Sequence, residues 1–157
     1  LSGLTTAEGL KILDVGCGLG DLYEYLARTL KAFEYVGIDI VPEMISEAKK
    51  RFPNVDFRIH DFSKDMDEQF DYVLSSGALS YKIDNYKDVY LRMIKRMYDL
   101  CNKGTAFNVL DKRIHPDDEI YASYTPTEIY EYCSRLTDKL TLRHDYLDYD
   151  FTLYLYR

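Results

Sequence analysis

Three glycines stand at alternate positions in the stretch Asp14–Asp21, which reads D-V-G-C-G-L-G-D. Such a turn between a strand and a helix brings backbone close to a ligand, and a Cβ at Gly16 or Gly18 would occupy that space. The helix that follows presents unpaired N–H groups, which suit a ligand carboxylate. Asp39 lies 19 residues after Gly20, where an acidic residue accepts hydrogen bonds from ribose hydroxyls. The spacing therefore predicts a nucleoside-binding site.

The glycine spacing also separates two classes of nucleoside ligand. Dinucleotide-binding turns have the fingerprint G-x-G-x-x-G, which leaves room for a pyrophosphate, whereas this chain has G-x-G-x-G. Asp21, at the start of the following helix, adds negative charge where a diphosphate would lie. The pattern favours a zwitterionic, cationic ligand over a dinucleotide.

Strand-like and helix-like segments alternate along the chain and would position this turn. Apolar runs predict strands at Lys11–Val15, Glu34–Ile38, Val55–Ile59, Tyr72–Ser75, Thr105–Leu110, Leu140–Asp145 and Phe151–Tyr156. The longest predicted helix is Tyr86–Cys101, closed by Lys103 and Gly104, and its apolar stripe, which includes Val89 and Met93, is interpreted as core. The alternation indicates an α/β domain with a parallel sheet covered on both faces, ending in an antiparallel hairpin.

Four motifs, in order along the chain, resemble those of the class I S-adenosylmethionine-dependent methyltransferases. They are Lys11–Asp21, Tyr35–Lys49, Val55–Phe62 and Phe70–Gly77. The resemblance covers essentially the whole chain and implies a Rossmann-like, doubly wound sheet of seven strands in the order 3-2-1-4-5-7-6. That sheet is mostly parallel, with one antiparallel strand in the C-terminal hairpin and helices on both faces. The resemblance further implies one domain over residues 1–157 that binds S-adenosylmethionine and releases S-adenosylhomocysteine.

The same resemblance implies a set of cofactor-binding residues. They are Asp14, Gly16, Cys17, Gly18, Gly20, Asp39, Ile40, Asp61, Phe62, Ser75 and Ser76. In this family the glycines wrap the methionine part of the cofactor, and Asp14 would stabilise that loop and help hold the amino group. Asp39 would bind the ribose hydroxyls, and Ile40 would pack against the adenine face.

The residues after the third and fourth predicted strands complete the implied site. Asp61 would accept the adenine amino hydrogen, and Phe62 would offer its backbone N–H to the ring. Ser75 and Ser76 would line the methionine end of the cofactor. Ordinary capping of the strand end is an equally good interpretation of these two serines.

Methyl transfer from a sulfonium is an in-line displacement, so the protein has chiefly to align a nucleophile with the methyl carbon and exclude water. A general base is needed only where the nucleophile carries a proton of high pKa. The candidates for such a base are Tyr81, His115 and Tyr124, which follow the predicted fourth and fifth strands. For each of them a structural interpretation is favoured: a partly buried aromatic ring for the two tyrosines and a solvated loop residue for His115. The three histidines have no metal-ligand spacing, so no metal is expected.

The formal net charge of −7 bears on the methyl acceptor. An acidic chain repels a phosphate backbone, so a small-molecule O, N or C nucleophile is favoured over nucleic acid. A protein or RNA methyltransferase and a non-catalytic S-adenosylmethionine-binding subunit remain as alternatives. No membrane segment is apparent, and three widely spaced cysteines suggest reduced thiols in the cytoplasm. A monomer or homodimer is expected.

A helical cap often precedes the first strand in this family and covers the substrate pocket. Leu1–Gly9 is too short for that role. The sequence therefore leaves two options: a cap in upstream residues, or closure of the site by the long Asp111–Ser123 connection together with a partner subunit.

Overall fold

The computed structural model describes residues 9–157. The expectation that Leu1–Gly9 is too short to form a helical cap therefore concerns residues that lie, except for Gly9, outside the described part. The strands are β1 (Leu10–Val15), β2 (Phe33–Asp39), β3 (Asp56–Ile59), β4 (Phe70–Ser75), β5 (Cys101–Asp111), β6 (Ser123–Tyr124), β7 (Leu140–Arg143) and β8 (Asp150–Tyr156). Their order is β3-β2-β1-β4-β5-β8-β7, with β6 paired to β5 off this path. When the added strand β6 is not counted, this is the predicted order 3-2-1-4-5-7-6, which is therefore confirmed. The predicted antiparallel strand is also confirmed, because β8 runs antiparallel to both β5 and β7.

Helices cover both faces of the sheet, as predicted. They are α1 (Asp21–Thr29), α2 (Pro42–Arg51), α3 (Tyr86–Leu100) and α4 (Pro126–Cys133), with one 3-10 turn at Ala78–Ser80. Successive residues of a strand point to opposite faces, so Leu10 and Ile12 pack with α1 and α2. Leu13 and Val15 pack with α3 and α4 on the other face. The two cores make the sheet the central layer of the domain.

The fifth strand begins earlier than predicted. α3 ends at Leu100, and Cys101 already pairs with Phe70 of β4, so no loop separates helix from strand. Gly104, predicted to close the helix, lies within β5 instead. A Cβ on Gly104 would stand 2.8 Å from the Leu155 backbone oxygen of β8. This glycine therefore serves the close approach of two strands rather than the end of a helix.

The short strand β6 is an addition that sequence patterning did not predict. Ser123 and Tyr124 pair in parallel with Leu110 and Asp111, the last two residues of β5. A two-residue strand has no alternation to detect in the sequence, and tertiary pairing alone creates it. It anchors the far end of the connection that follows β5.

The carboxyl ends of the parallel strands β1 to β5 lie at one edge of the sheet. In open α/β sheets, ligands bind in the crevice outside this edge. The segments that follow β1, β2, β3 and β4 therefore meet there, although they are far apart in the sequence. The glycine turn, Asp39, Asp61 and Ser76 belong to these four segments.

Candidate functional site

A cavity of about 1040 Å³ lies at the carboxyl edge of the sheet. Its lining includes nine of the eleven residues that the sequence assigned to the cofactor: Asp14, Gly16, Cys17, Gly18, Asp39, Ile40, Asp61, Phe62 and Ser76. The fold thus gathers residues from the ends of four strands around one space. A cavity of this size reaches the upper end of the range of roughly 300–1,000 Å³ that small-molecule pockets occupy.

Two residues assigned to the cofactor, Gly20 and Ser75, do not line the cavity. Gly20 precedes α1 with a left-handed φ of 83°, and a Cβ there would stand 2.9 Å from the Phe57 ring. Ser75 is buried, and its hydroxyl donates to the Val15 backbone oxygen over 2.9 Å. Both residues shape the protein around the cavity, and for Ser75 the placement favours the strand-end interpretation.

Gly16 and Gly18 are required for different reasons. Gly16 has φ 74°, and a Cβ there would stand 2.3 Å from the Cβ of Ala78. The contact is therefore with the protein itself, not with ligand space as expected from the sequence. Gly18 has φ 52°, and its Cβ position has no heavy atom within 4 Å. Because Gly18 lines the cavity, its missing side chain leaves room for a ligand.

Asp39 ties the glycine turn to the end of β2. Its Oδ2 accepts the Gly18 N–H over 3.0 Å, and its Oδ1 accepts the Val41 N–H over 2.9 Å. The N–H groups of Gly16 and Cys17 both donate to the Ile38 backbone oxygen next to it. Since each carboxylate oxygen has a second lone pair, Asp39 retains acceptor capacity toward the cavity.

Asp14 is the most perturbed carboxyl group of the site. It is buried, its Oδ2 accepts the Tyr35 hydroxyl over 2.6 Å, and its Oδ1 has no partner among the described residues. Burial raises the pKa of Asp14 to about 7, and the charge of Asp39 adds to that rise, while the Tyr35 hydrogen bond opposes it. A cation beside this carboxyl group would favour its charged form and so oppose the rise of its pKa caused by burial.

The opposite part of the cavity carries an apolar wall and polar backbone. Ile40 lines it with its side chain 63% exposed. The N–H of Phe62 donates to no described residue, while its carbonyl accepts from Arg96 over 2.7 Å. Asp61 accepts the Ser63 N–H over 3.0 Å, and hydrogen bonding from the Ser63 side chain, with this backbone bond, lowers the pKa of Asp61. An ionised acceptor, a free donor and an apolar face suit a purine ring.

The lining of the cavity has an acidic balance. Asp14, Asp21, Asp39 and Asp61 contribute four carboxyl groups, and Arg92 is the one lysine or arginine among the lining residues. Such a potential attracts a cationic ligand and repels a polyphosphate. The charge of the lining therefore supports the prediction of a cationic ligand, which was made from the glycine spacing and Asp21.

Several lining residues were missed by sequence reasoning. Val89 and Met93 of α3 were interpreted as core, but both are half-buried and line the cavity, together with Ile83 and Met44. Their helical spacing does place them beside the buried stripe. The sequence places Val89 and Met93 at the flank of the buried stripe of α3. Periodicity alone cannot tell whether residues at such a flank face the core or a cavity.

The candidates for a general base are separated by the fold. Tyr81 lines the cavity, whereas His115 and Tyr124 do not. Tyr124 is fully buried, its hydroxyl has no partner among the described residues, and burial raises its pKa. The His115 ring packs edge-on against Tyr121 at 5.5 Å between centroids. Of the three, Tyr81 alone is placed to contact a ligand in the cavity.

Asp117 fastens the long connection after β5 to the segment after β4. Its Oδ2 accepts from the Tyr86 hydroxyl over 2.7 Å and from Lys82 and Lys112 over 3.3 Å each. Its Oδ1 accepts both the N–H and the hydroxyl of Ser123 over 2.8 Å. Burial would raise the pKa of Asp117, but these hydrogen bonds hold it well below its usual range. The carboxylate therefore joins four segments at the edge of the cavity.

We expect Asp117→Asn to lower the free energy of unfolding at pH 7 by about 1–3 kcal/mol, because charge-assisted hydrogen bonds are lost. The depressed pKa contributes stability above the pKa of the unfolded chain, near 3.9, and this contribution is lost at lower pH. Urea unfolding at pH 7 and below pH 4 measures both effects. Glu119→Gln, an exposed change in the same connection, is the control. A difference from wild type that persists undiminished below pH 4 would contradict the role of the charge.

Two kinds of feature are not found within residues 9–157. No helix in this part of the chain has the length and apolar character needed to cross a bilayer. No group of three or more His, Cys, Asp or Glu side chains in it is arranged to hold a metal ion. The site as built rests on carboxyl groups, backbone and apolar side chains.

Comparison with known proteins identifies the class. Residues 12–104 match the methyltransferase domain family, and the chain belongs to this family of S-adenosylmethionine-dependent enzymes with a Rossmann-like fold. It is 33% identical to a putative methyltransferase of Mycobacterium tuberculosis, Rv1506c, over 96% of this chain and 95% of that protein. It is 28% identical to the demethylmenaquinone methyltransferase of Chlorobaculum tepidum over 87% of this chain, but spans only 56% of that protein.

A solved structure shows the same fold. Magnesium protoporphyrin IX methyltransferase from Synechocystis PCC 6803, with bound S-adenosylhomocysteine, superposes with a TM-score of 0.75 at 18% sequence identity. The superposition covers 96% of this chain and 75% of that one. The recognition of the family and its fold from four sequence motifs is thereby confirmed.

Proposed function

We propose that this chain transfers the methyl group of S-adenosylmethionine to an O, N or C nucleophile of a small molecule that enters the cavity at Tyr81. The observation that carries the proposal is the cavity at the carboxyl edge, where Asp14, Gly18, Asp39, Asp61 and their neighbours converge. S-adenosylmethionine supplies an electrophilic methyl group on a sulfonium. The names of two similar proteins, acting on demethylmenaquinone and on magnesium protoporphyrin, support a small-molecule acceptor.

The residues of the site fit the two ends of this cofactor. The unpartnered Oδ1 of Asp14 would accept a hydrogen bond from the amino group, directly or through water, and Gly18 would leave space for the methionine chain. Asp39 would accept from the ribose hydroxyls. The Phe62 N–H and the Asp61 carboxylate would meet the adenine edge, with Ile40 against its face. Cys17 and Ser76 would complete the wall.

The work of the protein in this reaction is binding, orientation and exclusion of water. The apolar side chains of Ile83, Val89 and Met93 remove water from one side of the cavity, and holding two reactants in line can lower a barrier by about 7–11 kcal/mol. Tyr81 would orient the acceptor, because it is the one of the three candidate bases that lines the cavity. His115 and Tyr124 would contribute only to the packing of the connection after β5 and of β6.

Calorimetric titration tests the cofactor assignment. We expect S-adenosylmethionine and S-adenosylhomocysteine to bind one per chain, and NAD to bind at least about a hundredfold more weakly, because a diphosphate would meet an acidic cavity. Tight NAD binding without S-adenosylhomocysteine binding would overturn the proposal. Cofactor binding without methyl transfer to any small molecule would favour the non-catalytic subunit instead.

Asp39→Ala should weaken S-adenosylhomocysteine binding by roughly 10- to 100-fold, since hydrogen bonds to a charged group contribute about 1.5–3 kcal/mol. The variant also loses the acceptor for the Gly18 N–H, so thermal unfolding is measured in parallel. Asp39→Asn keeps one acceptor oxygen and should fall between wild type and Asp39→Ala. An affinity unchanged in Asp39→Ala would refute the role of this residue at the ribose.

We further propose that the protein works as a monomer or homodimer in a reducing compartment such as the cytoplasm, without nucleic acid as substrate. Its three cysteines, Cys17, Cys101 and Cys133, are all buried and free, as suits a reducing environment. The acidic lining of the cavity supports the exclusion of a polyanionic acceptor. Sedimentation tests the oligomeric state, and a methylation assay with bulk tRNA tests the exclusion of nucleic acid as substrate.

A further inference from the structure

A row of three aromatic rings adjoins the cavity at Tyr81. Tyr81, which lines the cavity, packs against Tyr121 with 6.0 Å between ring centroids, and Tyr121 packs against His115 at 5.5 Å. Tyr81 follows β4, and Tyr121 and His115 belong to the connection after β5. In the order β3-β2-β1-β4-β5, this row lies on the side away from the residues assigned to adenine, which follow β2 and β3.

The aromatic row is held rigidly. Its two segments are joined by hydrogen bonds from the Lys82 N–H to the Ile120 oxygen over 2.7 Å, and from the Ala122 N–H to the Ser80 oxygen over 2.9 Å. Tyr81 and Tyr121 form an antiparallel β-bridge between them. The Asp117 carboxylate also joins these two segments, because it accepts hydrogen bonds from Lys82 and Ser123. A surface ordered before a ligand arrives loses little conformational entropy on binding.

The outer surface of this row is apolar and exposed. Tyr81 is 56% exposed, and Tyr121 and Ile83 are exposed as well. Ile83 lies two residues after Tyr81 and, like Tyr81, lines the cavity. The exposed apolar surface therefore runs from Tyr81 and Ile83, which line the cavity, to Tyr121, which packs against Tyr81. Contiguous patches of this kind mark binding sites.

We propose, building on the methyltransferase function above, that the methyl acceptor is a planar aromatic or conjugated molecule that stacks on Tyr81 and extends this row into the cavity. The continuity of Tyr81 with the cavity singles out a small molecule as occupant, because the row ends where the methyl group is to be delivered. Stacked aromatic pairs gain attraction beyond the burial of their area, which a saturated ring does not obtain. Tyr81 and Tyr121 are thereby assigned as specificity-determining residues.

The test uses protein saturated with S-adenosylhomocysteine and two probes of similar size, the planar 1-naphthol and the saturated decahydro-1-naphthol. Calorimetry should show 1-naphthol binding about threefold to tenfold more tightly than the saturated probe. Tyr81→Leu and Tyr121→Leu should each remove most of that preference without changing S-adenosylhomocysteine affinity. Tyr81→Phe should retain it, because the ring face remains.

Tyr25→Leu is the matched control, since Tyr25 is 52% exposed on α1 and lies outside the cavity lining. Equal affinity for the two probes, or a Tyr81→Leu variant that keeps the preference, would overturn the aromatic acceptor and leave the methyltransferase proposal standing. Failure to bind S-adenosylhomocysteine would instead remove the proposed function itself. A wild-type dimer in sedimentation that becomes monomeric in Tyr81→Leu would assign the surface to a second copy of the chain.

Discussion

Asp14→Asn is expected to make the ligand-free protein more stable at pH 8 while it loses most of its affinity for S-adenosylmethionine. The native Asp14 has a pKa of about 7 because of burial, whereas the unfolded chain has an Asp pKa near 3.9. Between these values the native state holds a proton that the unfolded state has released, so stability falls as pH rises through this window. The asparagine has no proton to lose and escapes that cost.

The size of the effect follows from the pKa difference. A shift of about three pH units corresponds to at most about 4 kcal/mol, fully present at pH 8 and nearly absent at pH 4. Urea unfolding of wild type and Asp14→Asn at pH 5, 6, 7 and 8 measures it. Asp67→Asn, the same charge change at an exposed position, is the control. A stability difference that does not grow between pH 5 and pH 8 would contradict the buried charge.

Cofactor affinity provides the second half of this prediction. In wild type, S-adenosylmethionine should bind more tightly as pH rises through 7, because Asp14 must release its proton before it can accept an ammonium group. The Asp14→Asn variant should bind at least about tenfold more weakly at pH 8, with a flat profile over the same range. Together the two measurements would show that this carboxyl group trades stability of the empty protein for binding, a common feature of functional sites.

Gly16→Ala should lower the free energy of unfolding by roughly 2–5 kcal/mol. A non-glycine residue in the left-handed region costs about 1–2 kcal/mol, and φ at Gly16 is 74°. A Cβ placed 2.3 Å from the Ala78 Cβ forces one backbone segment to move, and such overpacking costs about 1–3 kcal/mol. Chemical denaturation monitored by far-UV circular dichroism measures the sum.

Two further variants separate the two costs. Gly18→Ala has a positive φ but an open Cβ position, so it should lose only about 1–2 kcal/mol, although it narrows the cavity. Adding Ala78→Gly to Gly16→Ala removes the overlap and should recover that part of the loss. Equal destabilisation by Gly16→Ala and Gly18→Ala would mean that the contact with Ala78 has no energetic weight.

Much of the cofactor side was predictable because its residues follow strands in short, ordered motifs. The glycine turn, Asp39 and Asp61 each stand directly after a strand, and the ends of parallel strands meet at one edge whatever the intervening chain does. Sequence spacing therefore carried nearly all the geometry. Ser75 fell outside the cavity because successive residues of a strand point to opposite faces. Gly20 fell outside because it lies against the Phe57 ring at the start of α1.

The acceptor side was not predictable in the same way, because long-range contacts create it. Tyr81, His115 and Tyr124 were all candidate bases in the sequence, yet Tyr81 lines the cavity and Tyr124 is buried against the Tyr86 ring. Their separation depends on how the connection after β5 pairs with residues 80–82, which are about 40 positions earlier. No local pattern records such a pairing.

The sequence by itself predicted an α/β domain from its alternating elements. The resemblance of its four motifs to the class I methyltransferases predicted the family and the order of the strands, because motifs at the ends of successive strands belong to one topology of the sheet. Only the tertiary structure decided the protonation of Asp14, since its pKa depends on burial beside Tyr35 and Asp39. It also decided that Val89 and Met93 face the cavity and that an aromatic row opens beside Tyr81. Burial and long-range packing are properties of the assembled fold, so residue type and spacing do not contain them.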